Sequence, residues 1–414
     1  MATPLLIVVL AGCHQAQDTD EWSDFTQPKA LDRVGLQYYW SLQAPLGKDE
    51  QIRCLSLVDE KLYCLTSQNR LVAIDAATGG SMWSLALANP SQRVFPPVHA
   101  NAAAVPPWDG DVAKDRPSTE MIAKAKPFDA VVLNTLSHIL VINRVSGEIV
   151  SSIPLPFVAN SGGATDGTAY YVASVDGSYH AIDLRSTLEL WKRDTGGMVS
   201  AAPRLMGGVL YVAGEDQVAY ATQTATGRSL WTSRDSGSTP MHGPVTADIA
   251  VDASRCYVPC GDNRLYVYDR LTGKCPWEPF VCQGPLQQGV QVGEATIFQN
   301  ASRDKFYAID AASGTQRWSR KGGGMILAAT KEKGNEVYLL DNSDNVYTLD
   351  EITGASQAVW TVFGFDVFAP NATAPAMYAA SAGGRVVCIR PRSAGLLSPE
   401  MLRPAAPLPA AAPK

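Results

Sequence analysis

The chain has 414 residues, a net charge of −6, 18% charged residues and 46% apolar residues, the profile of a globular protein with material for a large core. Cationic residues form no stripe, which argues against nucleic-acid binding. No run of eighteen apolar residues occurs, which excludes a membrane-spanning helix.

In chain order, the first feature is the apolar run Leu5–Leu10, followed by Leu10-Ala-Gly-Cys13. These last four residues resemble the bacterial lipobox, which implies a signal over 1–13 and lipidation at Cys13. The run departs from a usual signal in being short and in lacking a preceding Lys or Arg. His14, not Asp, follows the cysteine. The resemblance therefore implies a chain exported and anchored at the outer membrane, facing the periplasm. Residues 14–36 are polar and read as a tether.

From residue 37 to 392 a unit of about forty residues recurs. Leu71-Val-Ala-Ile-Asp75-Ala-Ala-Thr-Gly79-Gly-Ser-Met-Trp83 returns as Phe306-Tyr-Ala-Ile-Asp310-Ala-Ala-Ser-Gly314-Thr-Gln-Arg-Trp318 and as Leu265–Trp277. The equivalent positions Asp75, Asn143, Asp183, Gln223, Asp269, Asp310, Asp350 and Arg390 are 68, 40, 40, 46, 41, 40 and 40 residues apart. The first unit predicts strands over Ile52–Val58, Leu62–Thr66, Arg70–Asp75 and Ser81–Ala86. Four short strands joined by short turns account for the period, and such repeats build a β-propeller. Asp75 can accept bonds from turn N–H groups. Gly79 supplies the positive φ of a bulged hairpin.

Trp83 on the outer strand is expected to pack between blades, as are Trp191, Trp231, Trp277, Trp318 and Trp360. The matching turn glycines are Gly147, Gly227, Gly273, Gly314 and Gly354. Three departures stand out. Ser151 replaces the second tryptophan. Thr187 replaces the third glycine, which predicts a hairpin of different shape. Trp360 comes two residues late, which predicts an insertion. The eighth unit lacks an outer strand, whereas Tyr39-Trp40-Ser41-Leu42 matches Trp83-Ser84-Leu85. The fold expected is all-β: an eight-bladed propeller of four-stranded antiparallel blades, closed by the N-terminal strand, with Trp40 in the docking position. Closure removes an open sheet edge.

The spacing of 68 hides an insertion, placed at about 99–126. It contains Trp108, a candidate interaction anchor, and a short helix predicted from Pro117 to Lys126. Residues 393–414 read as a disordered Pro/Ala-rich tail. Seven cysteines remain after Cys13. In an oxidising compartment, Cys54 with Cys64 and Cys275 with Cys282 are candidate disulfides. The spacing of Cys256, Cys260, Cys275 and Cys282 is not a zinc pattern, and no metal site is expected. The histidines are scattered and no hydrolase, phosphate-loop or dinucleotide motif occurs, so no catalytic residue is assigned.

The repeat Ala73-x-Asp75-x-x-Thr78-Gly79-x-x-x-Trp83 resembles the tryptophan-docking motif of pyrroloquinoline-quinone-like (PQQ-like) propellers. Two groups share it. One is the quinoprotein dehydrogenases, which implies the quinone and calcium in the central channel. The other is the BamB-type lipoproteins, non-enzymatic propellers of the outer-membrane β-barrel assembly machine. The lipobox and compact blades are most similar to the second group. That resemblance implies no cofactor, envelope proteins as partners, and membrane contact through the lipid anchor only. A PQQ/calcium-dependent dehydrogenase and a cell-surface ligand-binding or sensor propeller remain the alternatives.

Overall fold

The computed structural model describes residues 22–105, 118–330 and 335–403. They form eight four-stranded antiparallel sheets. In blade 1 the strands are Ile52–Val58, Lys61–Thr66, Arg70–Asp75 and Ser81–Ala86, the segments the repeat predicts. Blade 8 takes Val367–Ala369, Met377–Ala380 and Arg385–Pro391 from the C-terminal side and Leu36–Gln43 from the N-terminal side. The last two pair antiparallel from Leu36 opposite Pro391 to Gln43 opposite Arg385, so the two ends of the chain share one sheet and close the ring.

The apolar residues do not gather into one central core. They form eight clusters, each between neighbouring blades. Strand alternation explains this. Tyr63, Leu71, Ala73 and Trp83 point one way, into blade 2. Leu62, Cys64, Val72 and Ile74 point the other way, into blade 8.

Each docking tryptophan lies over the turn glycine of the next blade: Trp40 on Gly79, Trp83 on Gly147, Trp191 on Gly227, Trp231 on Gly273, Trp277 on Gly314 and Trp318 on Gly354. The indole N–H of Trp40, Trp83, Trp191, Trp231 and Trp318 donates to the carbonyl of Ala76, Arg144, Thr224, Arg270 and Glu351 respectively. Each acceptor is the residue after the aspartate-equivalent position. Trp277 makes no such bond, because the guanidinium of Arg255 takes the equivalent carbonyl, Ala311.

The structure corrects several expectations. The Thr187 hairpin keeps the common shape. Thr187 adopts φ 62°, its N–H bonds Asp183 O at 2.9 Å, and Asp183 N–H bonds Leu188 O at 2.8 Å, as Gly79 and Asp75 do in blade 1. No insertion precedes Trp360. Its hairpin has the standard bonds, Ala358 holds the usual docking register opposite Thr348, and Trp360 lies two residues further along the same face. Ring closure splits the hairpin of blade 8 between the chain ends, so Trp360 has no turn glycine to cover. It buries instead with Trp22, Leu31, Val362 and Phe365.

The inner strand of blade 2 is Val98–Ala103 and the next is Phe128–Asn134, so the insertion is 104–127, not 99–126. Its helix is Thr119–Lys124, capped by the Ser118 hydroxyl accepting from Met121 N–H; Pro117 precedes the cap. Trp108 lies outside the described residues, as does Cys13.

The tether is shorter than 14–36. Trp22 and Leu31 are buried, and Pro28–Arg33 is helical. The tail also packs up to residue 403: Pro399–Leu402 is helical, Leu397 and Leu402 enter the core between blades 8 and 1, and Arg403 Nε meets Glu60 at 2.9 Å.

All seven described cysteines are free. Cys54 stands opposite Leu65 and Cys64 opposite Leu55, which puts the two thiols on opposite faces of one sheet. Cys275 packs toward blade 4 and Cys282 toward blade 6. Neither candidate disulfide forms, because a sheet lies between the partners.

Candidate functional site

Two faces of the ring differ in what they carry. One bears the Asp–Gly hairpins, the insertion and the C-terminal helix. The other bears the turns between second and third strands and the loops that pass from blade to blade. On the first face the insertion helix is tied down by Arg185, whose Nε and Nη2 donate to Ile122 O at 3.0 and 2.6 Å.

The second face carries an apolar rim over blades 2 to 4. Leu136, Val158, Val175 and Met198 are 38, 49, 46 and 38% exposed. Backbone bonds set the first three side by side, Ala159 N–H to Leu136 O at 2.8 Å and Val175 N–H to Val158 O at 3.0 Å, and Glu215 N–H holds Met198 O at 2.8 Å in the next blade-to-blade loop. In blades 1, 6 and 7 the residue equivalent to Val175 is Ser67, Ser302 or Asn342, so the apolar surface is local rather than a by-product of the repeat. Clustered exposed apolar side chains of this kind mark interaction surfaces. Carboxylates border them: Asp176, Asp194, Glu215 and Asp216. Lys192 bridges Asp176 at 3.6 Å and Asp194 at 3.2 Å. The Ser178 hydroxyl bonded to Asp176 holds that carboxyl down at about 2, despite the opposing effect of burial, so Asp176 is ionised at neutral pH.

The channel holds a cavity of about 680 Å³, lined among others by Arg204, Asp248, Gln287, Gln288, Gln291 and Met325. Its polar groups already serve the ring. Arg204 pairs with Asp248 at 3.2 Å and donates to Ile249 O at 2.9 Å. Gln291 bonds both the N–H and the C=O of Ile326, at 2.8 and 2.9 Å, tying blade 6 to blade 7. A calcium-bound quinone needs several oxygen ligands converging on one ion. This lining offers one carboxylate, Asp248, and an arginine holds it. No group of three His, Cys, Asp or Glu among the described residues is arranged to hold a metal. The lining does not fit that cofactor.

Two histidines that look scattered in the sequence sit in buried networks. His99 Nδ1 meets Asp59 Oδ2 at 2.7 Å and its Nε2 meets Tyr63 Oη at 2.8 Å, between blades 1 and 2. His180 Nδ1 meets Glu189 Oε2 at 2.8 Å and Nε2 meets Ser178 Oγ at 2.7 Å, with Phe157 stacked on the ring at 3.7 Å. Burial lowers the His180 pKa, opposed by Glu189. The Ser–His–Glu order has the connectivity of a hydrolytic triad. Ser178, however, is fully buried and also bonds Asp176, so no substrate reaches its hydroxyl. The hydrogen bonds of the network lie within blade 3, and the Phe157 ring joins it to the loop arriving from blade 2. The Cys64 and Cys282 thiols are equally inert: burial pushes both up to about 12.

Sequence reasoning found the docking tryptophans and glycines but missed the rim. Four apolar residues on four different loops have no common spacing. Only alignment of the loops by blade shows that they fall together.

Among curated proteins, the chain is 26% identical over 136 residues to the quinohemoprotein alcohol dehydrogenase of Comamonas testosteroni, covering 29% of this chain and 19% of that protein. It is 25% identical over 181 residues to the tetrathionate hydrolase of Acidithiobacillus ferrooxidans, covering 38% and 36%. The matches thus span well under half of either relative. Among solved structures, BamB from Moraxella catarrhalis superposes with a TM-score of 0.58 at 14% identity, covering 86% of this chain and 99% of that one. The computationally designed Ika8 protein superposes equally well, with a TM-score of 0.59 at 14% identity, covering 84% and 98%. A designed protein fitting as well as a natural one shows that these likenesses speak for the fold alone. The family model described as "Outer membrane protein assembly factor BamB" matches residues 137–285 and 280–398. Those two stretches take in more than half of the sequence, and the protein belongs to this BamB family of PQQ-like repeat propellers.

Proposed function

We propose that this protein is a non-enzymatic lipoprotein of the cell envelope, anchored at Cys13, that binds other proteins as a rigid scaffold in outer-membrane β-barrel assembly. The observation that carries the reading is the apolar rim of Leu136, Val158, Val175 and Met198 within its acidic border. A closed ring presents such loops already ordered, so a partner meets little entropic cost on binding. The partner chemistry that fits is an apolar segment flanked by Lys or Arg.

The test places a photo-crosslinking residue at Val158 or Val175 in living cells. Crosslinks to a barrel-assembly component, lost from the Val158 position when Val175→Asp is added and from the Val175 position when Val158→Asp is added, support the reading. So does a fall in outer-membrane protein levels on deletion. Normal levels and no envelope-protein crosslink overturn it.

The match to an alcohol dehydrogenase favours one rival, a quinoprotein oxidising an alcohol or sugar. Dye-linked oxidation that requires both added quinone and calcium would establish that rival and remove the scaffold reading.

A further inference from the structure

The described chain begins in an aromatic clasp at the seam of blades 7 and 8. Trp22 stacks on Tyr38 with ring centroids 4.1 Å apart and planes 20° apart. The Arg385 guanidinium lies 4.8 Å from the Trp22 ring and 5.0 Å from the Phe25 ring. Phe25 meets Phe365 at 5.1 Å. Thr26 N–H donates to Phe363 O at 3.0 Å, and Phe363 N–H donates to the Thr26 hydroxyl at 2.8 Å. Phe363, Phe365 and Arg385 all belong to the face that carries the apolar rim. Phe363 and Phe365 lie in the loop from blade 7 to blade 8, and Arg385 opens the third strand of blade 8.

The clasp sets the number of residues between the ring and Cys13. Residues 14–36 would span at most about 80 Å fully extended, enough to hold the ring well clear of the bilayer. With Trp22 fixed, only residues 14–21 separate it from Cys13, a reach of at most about 30 Å. We propose that the clasp orients the propeller, turning the rim-bearing face toward the bilayer and holding the exposed Phe363 edge nearest to it. Phe363 is 61% exposed, an apolar ring of the kind that buries at the headgroup–acyl boundary. The rim over blades 2 to 4 lies on the far side of the same face, so a partner seated there lies between ring and membrane. This inference rests on lipidation of Cys13, part of the reading above.

The test uses the full-length acylated protein in vesicles that contain acceptor-labelled lipid. The partly exposed Cys54 and Cys275 are replaced by serine. A donor dye is placed either at Phe363→Cys or at Ile352→Cys, which sits on the opposite face of blade 7 and is 42% exposed. The two sites differ in height by about one strand length, ~17–20 Å, so energy transfer from position 363 is expected to exceed that from 352 by about twofold or more. Fifteen Gly/Ser residues inserted before Trp22 should abolish the difference. Equal transfer, greater transfer from 352, or a difference that survives the insertion each overturns the proposal. Mass spectrometry of Cys13 separates the two failures: an unacylated cysteine removes the anchor itself, whereas an acylated protein with equal transfer removes only the orientation.

Discussion

The seam between blades 1 and 2 and the seam between blades 2 and 3 solve one packing problem in opposite ways. In the first, Trp83 lies over Gly147, and a Cβ on that glycine would stand 2.5 Å from Trp83 Cγ. In the second, Ser151 holds the register position of the tryptophan, opposite Val141, and Thr187 holds the position of the glycine with the same left-handed backbone, φ 62° against 75°. The hairpin therefore tolerates a side chain at that φ, at a cost of about 1–2 kcal/mol. What demands glycine at the other blades is the indole above it. The two substitutions in the blade 2–3 seam compensate one another. That seam is filled instead by His180, Phe157 and the aliphatic side chains around them.

Substitutions at the two seams test this contrast, the costliest first. Trp83→Ala should cost roughly 3–5 kcal/mol in urea denaturation, the usual loss for a buried tryptophan. Gly147→Ala should cost about 2–4 kcal/mol, since overpacking against the indole adds to the left-handed strain. A small cost there would show that the ring can move aside and that the indole does not dictate glycine. Ser151→Trp alone should cost about 1–3 kcal/mol. Combined with Thr187→Gly it should recover at least about 1 kcal/mol, a coupling that a double-mutant cycle reads directly. Thr187→Gly alone should move stability by less than about 1 kcal/mol, because relief of strain opposes the added freedom of the unfolded chain.

The smallest effect is one of pH. The groups around His180 are Glu189, Asp176, Lys192 and Ser178, with Phe157 on its face. Burial holds its folded pKa below the ordinary 6.5. The unfolded chain then binds more protons in the window just below pH 6.5, so stability is full above that pH and declines as pH falls toward the folded value. Thermal denaturation between pH 7 and 5 should show a shallower decline for His180→Gln than for the parent. An identical slope would mean that the imidazole binds protons equally in the folded and unfolded chain.

Some of this was legible in the residues and some was not, for reasons that differ by region. Asp75, Gly79 and Trp83 recur because each does a local job: the carboxylate accepts from turn N–H groups, as Asp75 Oδ1 does from Thr78 N–H at 3.0 Å. Local jobs leave a period. The Trp22–Arg385 clasp leaves none, because its members are hundreds of residues apart in the chain, and the polar stretch around it looks like a linker. The cysteines misled for a similar reason. Proximity along the chain put Cys54 near Cys64, but pleating turned their thiols to opposite sides of the sheet.

By itself the sequence determined the number of blades, the strands within them and the closure of the ring by Tyr39–Leu42, since a β-blade is built from contacts near in the chain and written at a fixed spacing. Only the tertiary structure decided which loops stand side by side. It alone brought Leu136, Val158, Val175 and Met198 to one rim, paired Ser151 with Thr187 in one seam, and fastened Trp22 to blade 8. Those neighbours meet across blades, where distance in space owes nothing to distance along the chain.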